Sequence, residues 1–288
     1  MKLTELLSSS KATVSCELFP PKPGTALLDA PTVVRRMAAL HPAYMSVTFS
    51  AGGSGGTGTA DMANEVQNVN GIPALAHLTC ISSTREQIHQ SLAELQKLGI
   101  ENILALRGDL PEDGVFPANS AYRHASELME EIRAFGGFCI GGACYPEGHP
   151  ESATLAEDID NLKYKIDAGC DFLTTQMFFD NNELYRYLYR LRQAGIQVPV
   201  VAGIMPVTNA KQIQRIMSLS GSKLPVRFRA ICDRFGDNPA AMQQAGVAYA
   251  TEQIIDLLSN GVDHVHIYTM NRPEIAGAIM ANLSEILA

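Results

Sequence analysis

The sequence predicts an α/β fold, a single closed (β/α)8 barrel in which eight parallel strands alternate with helices. Eight short apolar runs recur along the chain, and helix-like sequence follows each of them. Helical segments end repeatedly at glycine, as at Gly99, Gly169 and Gly195, because glycine readily adopts the left-handed conformation that turns the chain back toward a sheet. The predicted strands are 13–19, 44–50, 73–80, 102–108, 139–146, 172–178, 198–206 and 264–271.

The segments between these strands show the apolar period of helices. Residues 84–98, for example, place Ile88, Leu92 and Leu95 at helical spacing, with charged residues on the other face. The same amphipathic pattern occurs in 155–168 and 182–194. We therefore predict helices at these positions.

The interval between the seventh and eighth strands is about twice the usual pitch of one strand and one helix. It contains an extra helical segment, 225–235, before a long helix at 239–259. No linker or low-complexity tract marks a boundary, so we predict one TIM-barrel domain over residues 1–288 with this insertion. The first residues predict a short amphipathic helix that closes the barrel floor.

Composition restricts the class of protein. A chain of 288 residues with 46% hydrophobic content suits one α/β barrel of roughly 250 residues with insertions. The net charge of −8 disfavours nucleic acid, whose phosphates require a basic surface. No apolar run approaches the roughly 18 residues that cross a membrane, and the N-terminus lacks a secretory signal. Six cysteines without a Cys-x-x-Cys pair indicate free thiols in a reducing cytoplasm.

The main alternative fold is an open doubly wound sheet. Its nucleotide-binding fingerprint, Gly-x-Gly-x-x-Gly after the first strand, is missing, and Pro20 and Pro21 follow that strand instead. A glycine cluster at 52–56 follows the second strand. Glycine content alone leaves two interpretations of this cluster open, close approach of backbone to a ligand or a flexible loop.

Polar side chains lie at the far end of every predicted strand. Because the carboxyl ends of all strands share one face of a parallel barrel, we expect these residues to line a single pocket. The predicted pocket residues are Glu17, Thr48, His77, Arg107, Asp109, Tyr145, His149, Gln176, Thr208, Asn271 and Arg272.

Four of these residues indicate chemistry. Glu17 lies between apolar neighbours, which should raise its pKa and suit it to general acid catalysis, although an exposed or ion-paired glutamate is the alternative. Arg107 and Asp109 flank Gly108 and offer a cation for phosphate and an acceptor for a ring NH, unless they pair with each other. The Gln176 amide both donates and accepts, which suits a heterocycle edge.

A metal site is not predicted. His264 and His266 lie at the start of the eighth strand, away from the expected pocket, and no second histidine pair or acidic cluster joins them. Residue chemistry alone therefore predicts an enzyme with one strand-end acid and a pocket for a planar polar ligand.

The strand-end motifs resemble those of the methylenetetrahydrofolate reductase family, in the same order along nearly the whole chain. The resemblance implies a flavoprotein that uses NADH or NADPH to convert 5,10-methylenetetrahydrofolate into 5-methyltetrahydrofolate, within one-carbon metabolism and methionine biosynthesis. The matching segments are ELFPPK (17–22), SVTF (46–49), AHLTC (76–80), ALRGDLP (105–111), YPEGHP (145–150), TQMFFD (175–180), GIMP (203–206) and YTMNR (268–272).

The same resemblance implies roles for individual residues. Glu17 matches the family's general acid, and Asp109 matches the aspartate between flavin and pterin. Positions that match substrate contacts are Gln176, Gln212, Tyr268 and Arg272. Positions that match FAD contacts are Thr48, Phe49, Ala51, His77, Arg107, Gly108, Asp109, Ala125, Tyr145, His149, Asp158, Asn161 and Lys165.

Some positions depart from the family pattern. Tyr164 stands where relatives commonly have an arginine near FAD, Phe49 replaces a frequent tyrosine, and Ile216 replaces an expected aromatic. The alternatives are a family member that dispenses with flavin, and a non-catalytic folate- or flavin-binding subunit of a complex. We also expect the short form of the family, without a C-terminal regulatory domain, acting as a homo-oligomer.

Overall fold

Eight strands form a closed barrel in the order of the sequence, each parallel to the next. The computed structural model describes residues 1–9, 11–20, 29–49, 58–110, 115–118, 120–213, 217 and 222–288. Pairing of the first strand with the eighth, in register from Thr13 opposite His264 to Cys16 opposite Ile267, closes the barrel. The predicted fold class is confirmed.

All eight predicted strands are present, and most end before the apolar runs do. The residues beyond each ladder turn over the barrel mouth and join the loops that lead to the helices. The strands are β1 (Thr13–Leu18), β2 (Met45–Val47), β3 (Ala74–Thr79), β4 (Asn102–Leu106), β5 (Cys139–Cys144), β6 (Phe172–Thr175), β7 (Val200–Ile204) and β8 (His264–Ile267).

Helices cover the outside of the barrel, and several begin with a capping side chain, as where Thr84 Oγ1 accepts from the backbone N–H of Gln87. A π-helical turn follows α3 at Glu65–Val69, and a 3₁₀ turn lies at Ala210–Gln212. The helices are α1 (Leu3–Leu7), α2 (Ala30–Ala38), α3 (Thr59–Asn64), α4 (Arg85–Lys97), α5 (Ala125–Phe135), α6 (Leu155–Asp167), α7 (Asn181–Gln193), α8 (Val226–Phe235), α9 (Pro239–Ser259) and α10 (Pro273–Asn282).

Helix α1 closes the floor of the barrel, as the sequence predicts. Leu3 and Leu7 are buried against Leu104 and Phe172, which point into the barrel interior. The backbone N–H of Leu3 donates to the Asn102 side chain at 2.8 Å. Within the described residues, the amino-terminal end of the barrel is therefore sealed, which leaves the opposite end for a ligand.

The predicted insertion between β7 and β8 consists of α8 followed by the long helix α9. Phe228 of α8 stacks on Phe179 with ring centroids 5.7 Å apart, and Met242 of α9 is buried in the same cluster. Met205 and Val207, just beyond β7, complete this cluster. The insertion thus supports the loops after β6 and β7, on the carboxyl side of the barrel.

Two features of the described residues bear on the class of protein. None of their helices is both long and apolar enough to cross a membrane. All six cysteines carry free thiols, and five of them are buried.

Candidate active site

A cavity of about 1180 Å³ opens at the carboxyl ends of the strands. It is larger than most small-molecule pockets, which range over roughly 300–1,000 Å³. It brings together most of the residues predicted from the strand ends, and it extends outward along α5 and α6. The predicted residues that line it are Glu17, Thr48, Phe49, His77, Arg107, Gly108, Asp109, Ala125, Tyr145, His149, Asp158, Asn161, Lys165, Gln176 and Tyr268.

Three residues predicted from the strand ends do not line this cavity, namely Thr208, Asn271 and the predicted substrate residue Arg272. Its guanidinium donates to Thr208 Oγ1 and Gln243 Oε1, each at 2.7 Å, and to Glu274 Oε1 at 2.9 Å. Several positions singled out from the sequence lie, wholly or in their side chains, outside the described part of the chain. They are Ala51, the glycine cluster 52–56, Ile216 and the side chain of Gln212.

Glu17 near the end of β1 faces the cavity with a side chain that is only 19% exposed. Burial raises the pKa of its carboxyl to about 8, because the charged form loses hydration that its surroundings do not replace. This agrees with the expectation from its apolar neighbours. At neutral pH the carboxyl therefore carries a proton.

His77 of β3 lies beside this acid, with Nε2 4.0 Å from Glu17 Oε2. That separation is too long for a direct hydrogen bond. Nε2 is buried and has no hydrogen-bond partner among the described residues, and burial lowers the pKa of the imidazole to about 4. A neutral ring with an unpaired nitrogen at the cavity wall is free to bind a polar atom of a ligand.

His266 of β8 lies on the cavity lining, so the prediction that it lies away from the pocket is wrong. Because the strands are tilted, His266 lies opposite Ser15 of β1. Ser15 is two residues before Glu17, so His266 lies one layer of side chains deeper in the barrel than the acid. Ser15 Oγ donates to the Val265 carbonyl and lies 2.7 Å from Nδ1, while Ser46 Oγ lies 3.0 Å from Nε2. Both ring nitrogens are therefore engaged by hydroxyl groups.

Burial lowers the pKa of His266 to about 3, so the ring is neutral. Because Ser15 gives its proton to a carbonyl, Nδ1 donates to Ser15 and Nε2 accepts from Ser46. The described residues contain no group of three or more His, Cys, Asp or Glu side chains arranged to hold a metal ion.

Arg107 after β4 forms a two-pronged ion pair with Glu151, at 2.6 Å for each nitrogen–oxygen contact. The predicted alternative, a pair between Arg107 and Asp109, is not the observed one, and Asp109 lies exposed on the cavity rim. Gly108, between these two residues, also lines the cavity. It has φ +92°, and an added Cβ would lie 2.9 Å from the Ile81 side chain, so local packing requires glycine there.

A second cation lies deeper in the groove between β5 and α6. Lys165 donates from Nζ to the Ala143 carbonyl at 2.7 Å, and burial lowers its pKa. Asp158, about two turns earlier on α6, accepts from Ser152 Oγ at 3.3 Å. The cavity thus presents Arg107 and Lys165 as separate cationic groups along one wall.

The polar wall at β6 and β8 is held by hydrogen bonds. Tyr268 donates its hydroxyl to the Thr175 carbonyl at 2.6 Å, which fixes the ring beside the cavity. Gln176 accepts from the backbone N–H of Met177 through Oε1 at 2.9 Å. Its amide nitrogen is the part of the side chain that remains to donate to a ligand.

Sequence reasoning missed two contributors to the site, His266 and Glu151. The even spacing of His266 from Tyr268, which puts both side chains on one face of the strand, could have indicated His266. Glu151 directly follows the YPEGHP segment, but its pairing with a residue 44 positions away carries no local signal.

Comparison with known proteins identifies relatives over nearly the whole chain. A family-level sequence description, methylenetetrahydrofolate reductase, matches residues 2–284. A 5,10-methylenetetrahydrofolate reductase from Pectobacterium carotovorum is 34% identical over 273 residues, which cover 95% of this chain and 90% of the relative. Methylenetetrahydrofolate reductase (NADH) 1 from Zea mays is 35% identical over 298 residues. That alignment covers 99% of this chain but 50% of the maize protein, so the chain spans about half the length of the plant relative.

Among solved structures, a protein from Clostridium thermocellum has a TM-score of 0.61 and 14% sequence identity to this chain. The match covers 100% of this chain and 99% of that one. It is described as an uncharacterized protein that binds two copies of 5-methyl-5,6,7,8-tetrahydrofolic acid. At this identity the likeness concerns the fold.

Proposed function

Because the chain belongs to the methylenetetrahydrofolate reductase family, we propose that it reduces 5,10-methylenetetrahydrofolate to 5-methyltetrahydrofolate. The proposed reductant is NADH or NADPH, acting through bound FAD. The observation that carries the proposal is Glu17, a carboxyl that holds its proton up to about pH 8 on the wall of the barrel-mouth cavity. Such a group can supply a proton to a bound substrate at neutral pH.

The residues along the cavity suit FAD. Nε2 of His77 is buried and unpaired within the described chain, and Arg107 and Lys165 could offset the charge of a pyrophosphate. Thr48, Tyr145 and the backbone near Gly108 would supply further polar contacts. When bound, FAD would take a hydride from the nicotinamide and deliver it to the methylene carbon of the folate.

Glu17 would act on the folate itself. Its carboxyl donates a proton to the bridge nitrogen that leaves, the bond from that nitrogen to the methylene carbon breaks, and an iminium forms on the remaining nitrogen. The iminium carbon then accepts the hydride, which gives the methyl product. Glu17 is left as a carboxylate and regains its proton from solvent before the next turnover.

Other residues would orient the substrate. Asp109 at the rim and the amide of Gln176 would hold the pterin, and Tyr268 would lie against it. Arg272, together with Gln212, would bind a more distant acidic part of the folate. Because its donors already contact Thr208 and side chains of the insertion and α10, such binding would exchange at least one of these partners.

The remaining parts of the proposal follow from the family. We propose a single catalytic domain over 1–288, a cytoplasmic location and a homo-oligomer.

The test is a visible spectrum of the purified protein. We expect flavin absorbance that NADH or NADPH bleaches and methylenetetrahydrofolate restores. A colourless protein that reduces folate with a nicotinamide alone would indicate the flavin-independent alternative. A protein that binds folate or FAD without turnover would indicate a non-catalytic subunit.

A variant tests the role of the acid. Glu17→Gln should still be bleached by the nicotinamide, but the recovery of flavin absorbance on adding folate should collapse. Equal losses in both half-reactions would show that Glu17 is structural or serves the flavin.

A further inference from the structure

Side chains just beyond β8 hold the backbone around Glu17, at a point where main-chain pairing between β1 and β8 has ended. Main-chain pairing between β1 and β8 stops at Cys16 opposite Ile267. Beyond it, the hydroxyl of Thr269 donates to the Glu17 carbonyl at 2.5 Å. The side chain of Asn271 donates from Nδ2 to the Phe19 carbonyl at 2.7 Å and accepts at Oδ1 from the Phe19 N–H at 3.0 Å.

These contacts fix the acid's segment on both sides. The intervening carbonyl of Leu18 accepts from the Thr48 N–H of the neighbouring strand at 2.9 Å. The three consecutive carbonyls from Glu17 to Phe19 are thus each held by a donor. A side chain that starts from this segment has its direction set by these hydrogen bonds.

The backbone conformation that directs the Asn271 side chain toward Phe19 is intrinsically unfavourable. Met270 and Asn271 have φ angles of +52° and +53°, in the left-handed region that L-residues other than glycine rarely adopt. Two such residues in succession persist only where the surroundings hold them, and such strain concentrates at functional sites. Thr269 and Asn271 are both buried, and neither lines the cavity.

We propose that Thr269 and Asn271 are positioning residues that aim the carboxyl of Glu17 at the folate. The inference rests on the proposed function, since it assumes that Glu17 acts as the acid in folate reduction. Both residues act through the backbone of residues 17–19 and do not touch the substrate. Their loss should therefore affect the proton-dependent half-reaction and spare the flavin reduction that precedes it.

The experiment measures the two half-reactions separately in the FAD-loaded protein by rapid mixing. Asn271→Ala should slow the folate half-reaction by on the order of 100-fold, the usual cost of misplacing a reacting group by about 1 Å. FAD content and bleaching by NADH or NADPH should be unchanged. Thr269→Val should likewise slow the folate half-reaction and spare flavin reduction. Thr269→Ser retains the hydroxyl and should keep the folate half-reaction at the wild-type rate.

The matched control is Asn102→Ala. Asn102 is also fully buried, and its side chain bonds the Leu3 N–H and the Ala74 carbonyl at the opposite end of the barrel. Its loss should lower stability and leave the ratio of the two half-reaction rates as in the wild type.

A pH profile gives a second readout. His77 of β3 lies 4.0 Å from the Glu17 carboxyl, Tyr268 beyond β8 interacts with it electrostatically, and His266 of β8 lines the same cavity. If Asn271→Ala frees the carboxyl toward water, the alkaline fall of the folate half-reaction should move to lower pH. The proposal is overturned if Asn271→Ala and Thr269→Val slow both half-reactions equally, or if Asn102→Ala shows the same split. Wild-type protein that binds FAD but whose reduced flavin is never reoxidised by methylenetetrahydrofolate would instead overturn the proposed function.

Discussion

The carboxyl of Glu17 lies 4.0 Å from Nε2 of His77, and burial moves the two pKa values past each other, to about 8 and about 4. Between these values the acid is protonated and the imidazole is neutral. The contact is therefore not an ion pair at neutral pH, although it joins an acid and a base. An ion pair would lower the pKa of Glu17 and remove its proton, so the neutral imidazole preserves the acid.

The first prediction concerns the pH dependence of folate reduction. Because Glu17 must be protonated, the rate of the folate half-reaction should be constant from about pH 6 to 7 and half-maximal near pH 8. Above that it should fall about tenfold per pH unit. Rapid-mixing measurements of flavin reoxidation would show this, with flavin reduction by the nicotinamide as the internal control. A midpoint near pH 4.5 would mean that the carboxyl is hydrated and ionised in the working enzyme.

The second prediction concerns stability. The folded pKa of Glu17 lies above its ordinary value near 4.5, so the folded state binds the proton more tightly than the unfolded chain does. Stability is therefore lost as pH rises from about 4.5 to 8. Glu17→Gln cannot ionise, so at pH 9 it should be more stable than the wild type by on the order of 1–3 kcal/mol, and the difference should shrink at pH 5. Urea unfolding at the two pH values would measure it.

Glu131→Gln provides a control of opposite sign. A hydrogen bond from His89, 2.6 Å away, lowers the pKa of Glu131, so its ionised form favours the folded state above pH 4.5. Its replacement should lower stability at pH 9. If both variants moved stability in the same direction, burial of Glu17 would not explain its effect.

The third prediction concerns the support of the β7 loop by the insertion. Gly246 of α9 lies so close to this loop that an added Cβ would be 2.0 Å from the Val207 carbonyl. Since backbone cannot move aside cheaply, Gly246→Ala should destabilise the fold by about 1–3 kcal/mol. Gly277 of α10 is the matched helical control, because its added Cβ would meet only the end of the Leu40 side chain at 3.3 Å. Equal losses of melting temperature would contradict this account of Gly246.

Much of the fold could be predicted from sequence because strands of a parallel barrel are buried on both faces and appear as apolar runs. The strand-end residues of the cavity could be predicted for the same reason, since most lie at or near the end of a run that is easy to find. The cavity residues on α5 and α6 had no such signal and came only from the family resemblance. Glu17, for example, needs only its place at the end of β1 and its apolar neighbours to be recognised as a candidate acid.

The rest depends on geometry between elements. The depth of His266 in the barrel depends on strand tilt, which places it opposite Ser15 of β1. The sequence of β8 alone does not predict this depth. The partner of Arg107 depends on how the loop after β5 folds back, which no local pattern reveals. The hydrogen bond from Arg272 to Gln243 likewise depends on where α9 of the insertion packs, which the sequence around Arg272 does not indicate.

The last prediction concerns Glu151, the ion-pair partner of Arg107. Glu151 occupies both prongs of the guanidinium, so a phosphate group that binds there must compete with a carboxylate. Glu151→Gln should therefore bind FAD and inorganic pyrophosphate more tightly, by up to about fivefold, because a partly exposed pair is worth about 1 kcal/mol or less. Arg107→Ala should weaken both. Titration calorimetry with pyrophosphate would measure this without any turnover, and Glu183→Gln, which removes an ion pair with Arg186 on α7, is the control. Weaker binding in Glu151→Gln would show that the carboxylate orients Arg107 for the phosphate and does not compete with it.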